Sequence, residues 1–136
     1  MPFEYQTEPH LTAAELADVF RRSGIRRPAH DLPRLAQMIE RADLIITARD
    51  QGRPDRPLVG VARSLSDFCF ATYLSDLAVD RQYQRQGIGK ELVRRTRDAV
   101  SDSTVLLLIA APEAEDYYGK IGFEPMDRAW WINRSR

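Results

Sequence analysis

Seven consecutive residues, Gln84, Arg85, Gln86, Gly87, Ile88, Gly89 and Lys90, combine amide and basic side chains with two glycines. They stand where an apolar segment ending at Val79 gives way to a helical pattern starting near Ile88. The N–H groups of such a loop, with the positive end of the following helix, make a site for an anion. Glycine at 87 and 89 lets the main chain approach a ligand with no Cβ between them. Gln84, Arg85 and Lys90 add donors or charge. The alternative for two glycines by themselves is a tight turn selected for conformation. Spacing excludes two phosphate motifs. A P-loop needs Gly-Lys followed by Ser or Thr, with a glycine five residues earlier; here Glu91 follows Lys90 and the earlier glycine lies two residues back. A dinucleotide fingerprint needs a third glycine where the chain has Leu92, and an early strand–helix–strand unit, whereas this loop lies past mid-chain.

The elements that must position this loop can be read from periodicity. Residues 3–8 form a short strand. Thr12 and Glu15 make a capping box, and Leu16, Val19 and Phe20 recur at helical spacing until Ser23-Gly24. Asp31 caps a second helix with Leu32, Leu35, Met38 and Ile39 on one face. Extended segments at 44–48, 57–63 and 68–79 follow across short turns and pair as an antiparallel meander. A helix over 88–100 turns Ile88, Leu92, Val93, Thr96, Ala99 and Val100 inward. Residues 104–111 are β-branched and apolar, which predicts a strand buried on both faces, parallel to its predecessor through a right-handed crossover. A helix over 113–120, stopped by Gly122, and a final strand at 129–132 complete the order β-α-α-β-β-β-α-β-α-β. This is an α/β chain with one mixed sheet, helices on both faces, and a single domain over residues 1–136.

Composition narrows the function classes. Twenty basic and twenty acidic residues balance, so a generic nucleic-acid binder is excluded. The single cysteine, Cys69, forms no internal disulfide and offers no zinc pattern. Between Phe68 and Phe70 it reads as a buried structural thiol, and a reducing cytoplasm is the expected compartment. The N-terminal residues lack the basic and apolar regions of a signal peptide. No apolar run reaches membrane-spanning length; the longest, 105–112, has strand length. No metal and no membrane partner is expected.

The spacing Gln84-x-x-Gly87-x-Gly89 resembles the acyl-CoA pyrophosphate loop of the GCN5-related N-acetyltransferase (GNAT) superfamily. The resemblance runs upstream through "YLSDLAVDRQYQRQGIGKELV", similar to that family's fourth strand, loop and third helix. Downstream, "AEDYYGKIGFEP" resembles its second signature, a tyrosine-bearing helix closed by Gly-Phe. The two blocks flank "TVLLLIAA", as in the family. The likeness is good over about residues 70–125 and holds only in element order over 12–63.

The resemblance implies transfer of an acetyl group from acetyl-CoA to a primary amine of a small molecule, by direct attack in a ternary complex. It implies that the amides of Gln86, Gly87, Ile88, Gly89 and Lys90, with Gln84 and Arg85 nearby, hold the pyrophosphate. It places pantetheine like an added strand along Leu77, Ala78 and Val79, where a bulge splays two strands. The Leu77 N–H is the candidate to polarise the thioester carbonyl, and Tyr118 the general acid for the departing thiolate. Asp76 reads either as the base that takes the amine's proton or as a structural carboxylate, with Glu113 the weaker alternative. Tyr118 alternatively is a hydrogen-bonded core tyrosine. Tyr117 reads as core packing, and His10 and His30 as solvated or capping. The chain departs from the family at Ala111, where many relatives carry Asn. Phe68, Phe70, Tyr73, Tyr117, Trp130 and Trp131 are expected in the core, with an aromatic acceptor or a homodimer contact through the tryptophans as the alternatives. Competing functions are a protein or peptide N-acetyltransferase and a non-catalytic acyl-CoA-binding module.

Overall fold

The two N-terminal helices begin where short polar side chains can hold their first amides. Thr12 accepts from the Glu15 N–H at 3.1 Å and opens α1 (Ala13–Ser23); Asp31 accepts from the Arg34 N–H at 3.1 Å and opens α2 (Leu32–Glu40). The computed structural model describes residues 2–135. Its single sheet has the order β1 (Phe3–Thr7), β2 (Leu44–Asp50), β3 (Leu58–Ser66), β4 (Ala71–Val79), β5 (Val105–Leu107). The first four strands pair antiparallel; β4 and β5 are parallel, joined through α3 (Ile88–Val100). A last helix, α4 (Glu115–Lys120), follows β5.

The sheet separates two apolar clusters. On one face Leu16, Val19 and Phe20 of α1 and Leu35 of α2 pack on Ile45, Val61 and Ala78. On the other, Ile88, Leu92 and Val93 of α3 pack on Ile46, Val59 and Leu74. Leu74 and Leu77 both pack on the α3 side, while Ala78 belongs to the α1 side. Residues three apart cannot share a face of a regular strand, whose side chains alternate. The register supplies the reason: Arg63 pairs with Asp76 and Ser64 with Leu74, so Ser75 is an extra, unopposed residue.

Two expectations fail at the C-terminal end. Residues 104–111 are not buried on both faces. Thr104 is buried, but Val105, Leu107 and Ile109 are exposed. β5 is the sheet's edge, and only Leu106 within it and Leu108 just after it reach a core cluster. The final strand is also absent: residues 124–135 hold no helix or strand, and Trp130 is 94% exposed. High strand propensity is not enough where a segment lacks a paired neighbour and a face to bury. Phe68, Phe70 and Trp131 are likewise exposed and not core. Cys69 is exposed too, because residues 67–70 form the β3–β4 turn instead of continuing the strand. The Asp67 carboxylate accepts the N–H groups of Cys69, Phe70 and Ala71 at 2.8–3.0 Å, and Phe68 takes φ +62°.

Candidate active site

β4 and β5 form a pair that opens. Their register runs only through Ala71–Val105, Thr72–Leu106 and Tyr73–Leu107. Beyond Tyr73 comes the extra residue Ser75, and Leu77, Ala78 and Val79 have no β5 partner. The Asp80 N–H donates to Val59 O at 2.9 Å. Alternation along an antiparallel ladder then turns the N–H groups of Leu77 and Val79 away from β3, into the gap. That row of main-chain groups fits an extended polar chain laid along it as a strand would lie.

The glycine loop stands at the wide end of this gap. Asp80 starts a 3-10 turn, Arg81–Tyr83, accepting from the Gln82 N–H at 2.9 Å. Asp80 is itself buried and ion-paired with Arg22 of α1. The Tyr83 hydroxyl donates to Asp50 at 2.7 Å, and its ring meets Phe3 edge-on. Above this anchored base Arg85 takes φ +67° and Gly87 φ +82°. Gly87 is the N-cap of α3 and no side chain caps that end, so the first-turn N–H groups keep free donors. A Cβ built on Gly87 would meet nothing within 4 Å: the space over the loop is open, and positive φ alone demands glycine there. Gln84, Arg85, Gln86 and Lys90 are exposed around it, while Ile88 and Gly89 are buried. The Gln84 side chain donates to Val79 O at 3.2 Å, tying the loop to the gap's wall.

Tyr117 and Tyr118 arrive from α4. Gly122, at φ +104°, folds the chain back so that the Phe123 N–H donates to Tyr118 O at 3.0 Å. The Phe123 and Tyr118 rings then meet edge-on at 5.6 Å. This is what the Gly-Phe spacing accomplishes: it clamps the helix end that carries the tyrosine. Burial, and secondarily Tyr117, push the Tyr118 phenol above its ordinary value, with Arg27 pulling the other way. Tyr118 is thus a protonated phenol at neutral pH, within electrostatic reach of a guanidinium. Tyr117 does not pack in the core as expected. It is partly exposed, and its hydroxyl rests against the Gly89 backbone, where a Cβ would collide with it.

Asp76 is where the base reading meets the geometry. The residue is fully buried on the α1 side of β4, and both carboxylate oxygens are taken: Oδ1 by Arg27 and Oδ2 by Arg63. A general base must come within reach of the proton it takes, and a fully buried carboxylate held by two guanidinium groups is withdrawn from an incoming amine, which favours the structural reading of Asp76. Arg63 also donates to the Ser75 hydroxyl at 3.1 Å, and Arg27 to the Ser75 carbonyl at 2.7 Å. The bulge is therefore held by two arginines from different elements. Neither was marked by the sequence, because an arginine in a polar loop or on a strand looks like any solvated charge. The same is true of Arg22, Asp50 and Asp80. Glu113 and both histidines, His10 and His30, lie exposed, and Ala111 precedes a short 3-10 turn at Pro112–Ala114. Among the described residues no group of three or more His, Cys, Asp or Glu is placed to hold a metal, and no helix is long and apolar enough to cross a membrane.

Residues 15–130 match the family model described as the acetyltransferase (GNAT) domain. Among curated proteins, the chain is 36% identical over 72 residues to the chloroplastic GCN5-related N-acetyltransferase 2 of Arabidopsis thaliana, covering 52% of this chain and 28% of that protein. It is 26% identical over 106 residues to the histone acetyltransferase TAP1 of Glycine max, covering 71% and 46%. The chain therefore spans less than half the length of either relative. Among solved structures, a GNAT-family acetyltransferase from Streptococcus pneumoniae superposes with a TM-score of 0.76 at 21% identity, over 98% of this chain and 99% of that one. An aminoglycoside acetyltransferase from an uncultured soil metagenomic sample, in complex with sisomicin, superposes with a TM-score of 0.69 at 18% identity, over 99% and 97%. These two likenesses concern the fold.

Proposed function

The chain belongs to the GNAT acetyltransferase domain family, and from that premise we propose that it transfers an acetyl group from acetyl-CoA to a primary amine of a small molecule, within a ternary complex. The observation that carries this reading is the gap between β4 and β5, lined by outward N–H groups and ending at an open glycine loop. Acetyl-CoA supplies the activated acyl group as a thioester. The amides from Gln86 to Lys90, with Gln84 and Arg85, hold its pyrophosphate. Leu77, Ala78 and Val79 align the pantetheine through main-chain hydrogen bonds. The Leu77 N–H donates to the acyl oxygen as negative charge develops there. The Tyr118 hydroxyl gives its proton to the leaving sulfur, and the proton lost by the attacking nitrogen restores the phenol, so the transfer closes with amide and thiol as products. Asp76 positions the strand through its two arginines and takes no proton. A reducing compartment, suited to the exposed Cys69 thiol, is part of the reading.

Calorimetric titration with acetyl-CoA, using ATP and NAD as controls, tests it. Saturable binding of acetyl-CoA alone is the expected result; equal or absent binding of all three overturns the cofactor assignment. The likeness to a histone acetyltransferase favours a second reading, in which the amine belongs to a lysine of a protein. Peptide and small-amine acceptors assayed side by side separate the two.

A further inference from the structure

The α1 side of the β4 bulge holds more positive than negative charge. Arg27 and Arg63 converge on one carboxylate, Asp76, which is fully buried. Among the described residues neither arginine has a second acidic partner. Arg63 is buried, whereas the Arg27 side chain keeps 27% of its surface exposed. A guanidinium has five N–H groups. Arg27 uses one for Asp76, one for Arg26 O and one for Ser75 O, the last two at 2.7 Å, which leaves two for an outside partner. The neighbouring Arg26 is exposed and adds a second cation to the loop between α1 and α2. A cation withdrawn from water without its own counter-ion is costly, and an arriving anion relieves that cost. Arg27 is bonded to Ser75 and Asp76, the two residues immediately before Leu77, so such an anion stands beside the part of β4 that faces the acyl group.

Resting on the acetyl-transfer reading, we infer that the acceptor is a small amino acid: its carboxylate pairs with Arg27 while its amine faces Leu77 and Tyr118. Bidentate pairing suits a carboxylate to a guanidinium. The same charge repels polyamines and aminoglycosides, which bring only further cations.

The test assays acetyl transfer by the full chain to amino acids and to their carboxamides, matched pairs in which only the carboxylate changes. The carboxamide's amine is the less basic of the two and so is deprotonated more readily; a preference for the acid therefore cannot come from amine ionisation. A kcat/KM at least about 10-fold higher for the acids is expected, the order of one charge-assisted pair. Arg27→Gln should bring the pairs close to parity by raising KM for the acids more than for the carboxamides, a ratio that a general loosening of the bulge would leave unchanged. Equal rates, faster carboxamides, or no transfer to either class by a protein that binds acetyl-CoA overturns the inference alone. Failure to bind acetyl-CoA overturns the transfer reading, and the inference with it.

Discussion

Tyr118 and Tyr117 are adjacent in sequence and separate in use. Replacing Tyr118 by Phe should slow turnover about 100-fold, the usual worth of a placed general acid, and leave acetyl-CoA affinity within about two-fold. Unchanged turnover would remove the acid assignment. Because burial raises this phenol above 10.0, the alkaline limb of a pH–rate profile that reports its ionisation should lie above that value. A limb at neutral pH would have to belong to another group. For Tyr117 the expected effect is steric. Gly89→Ala should raise the melting temperature by less than alanine's helix propensity would give, a loss that arises because the new methyl displaces the Tyr117 hydroxyl. Adding Tyr117→Phe removes that oxygen and leaves the ring carbon at 3.4 Å, so the double variant should recover part of the loss. The glycine loop and the Tyr118 register were legible in the sequence because each carries a backbone demand that only a few residue types meet. Asp76 was legible as special, but the sequence left base and structural carboxylate equally open, since its two arginines come from 49 and 13 residues away.

At the scale of elements, caps and turns were legible and edges were not. Thr12, Asp31 and Gly24 mark the bounds of α1 and α2 through local hydrogen bonds that need no tertiary information. The limits of α3 follow from its apolar spacing. The turn at 67–70 escaped notice because Phe68-Cys69-Phe70 looks like strand, while what decides it is a single carboxylate. Around Asp67 three backbone N–H groups hold the carboxyl at about 2, well below the usual 3.8. The folded-state value is depressed, so its contribution to the hairpin is complete above pH 3.8 and fades as pH falls through about 2. Asp67→Ala should reproduce the acid state at neutral pH, seen as faster amide exchange at Cys69, Phe70 and Ala71 with little change at β2. Uniform protection in the variant would show that the turn holds without it. The final strand was misread for the opposite reason: local preference favoured it, and the fold offers no partner.

Over the whole molecule, the Arg27–Asp76–Arg63 cluster joins the loop between α1 and α2, β3 and β4 at one buried point. Removing one partner of a buried ion pair typically costs about 3–5 kcal/mol. Asp76→Ala should therefore lower the denaturant midpoint strongly. A variant that keeps wild-type stability but loses turnover would instead return Asp76 to the role of base. The antiparallel meander, the two-faced core and the parallel pair were all visible in hydrophobic pattern, because burial writes period into sequence. The cluster at the centre was not, because charge pairing across a sheet leaves no period.

Ser75 shows what one residue can withhold. With it, Leu74 and Leu77 share a face and β4 stops matching β5 after Tyr73. Without it, the flanking residues would keep their present faces in a regular strand. β5 could then go on zipping past Leu107, hydrogen bond by hydrogen bond, until Leu77 and Val79 were sealed. The shortened protein should bind no acetyl-CoA in a calorimetric titration. The insertion acts as a spacer that keeps a seam from closing.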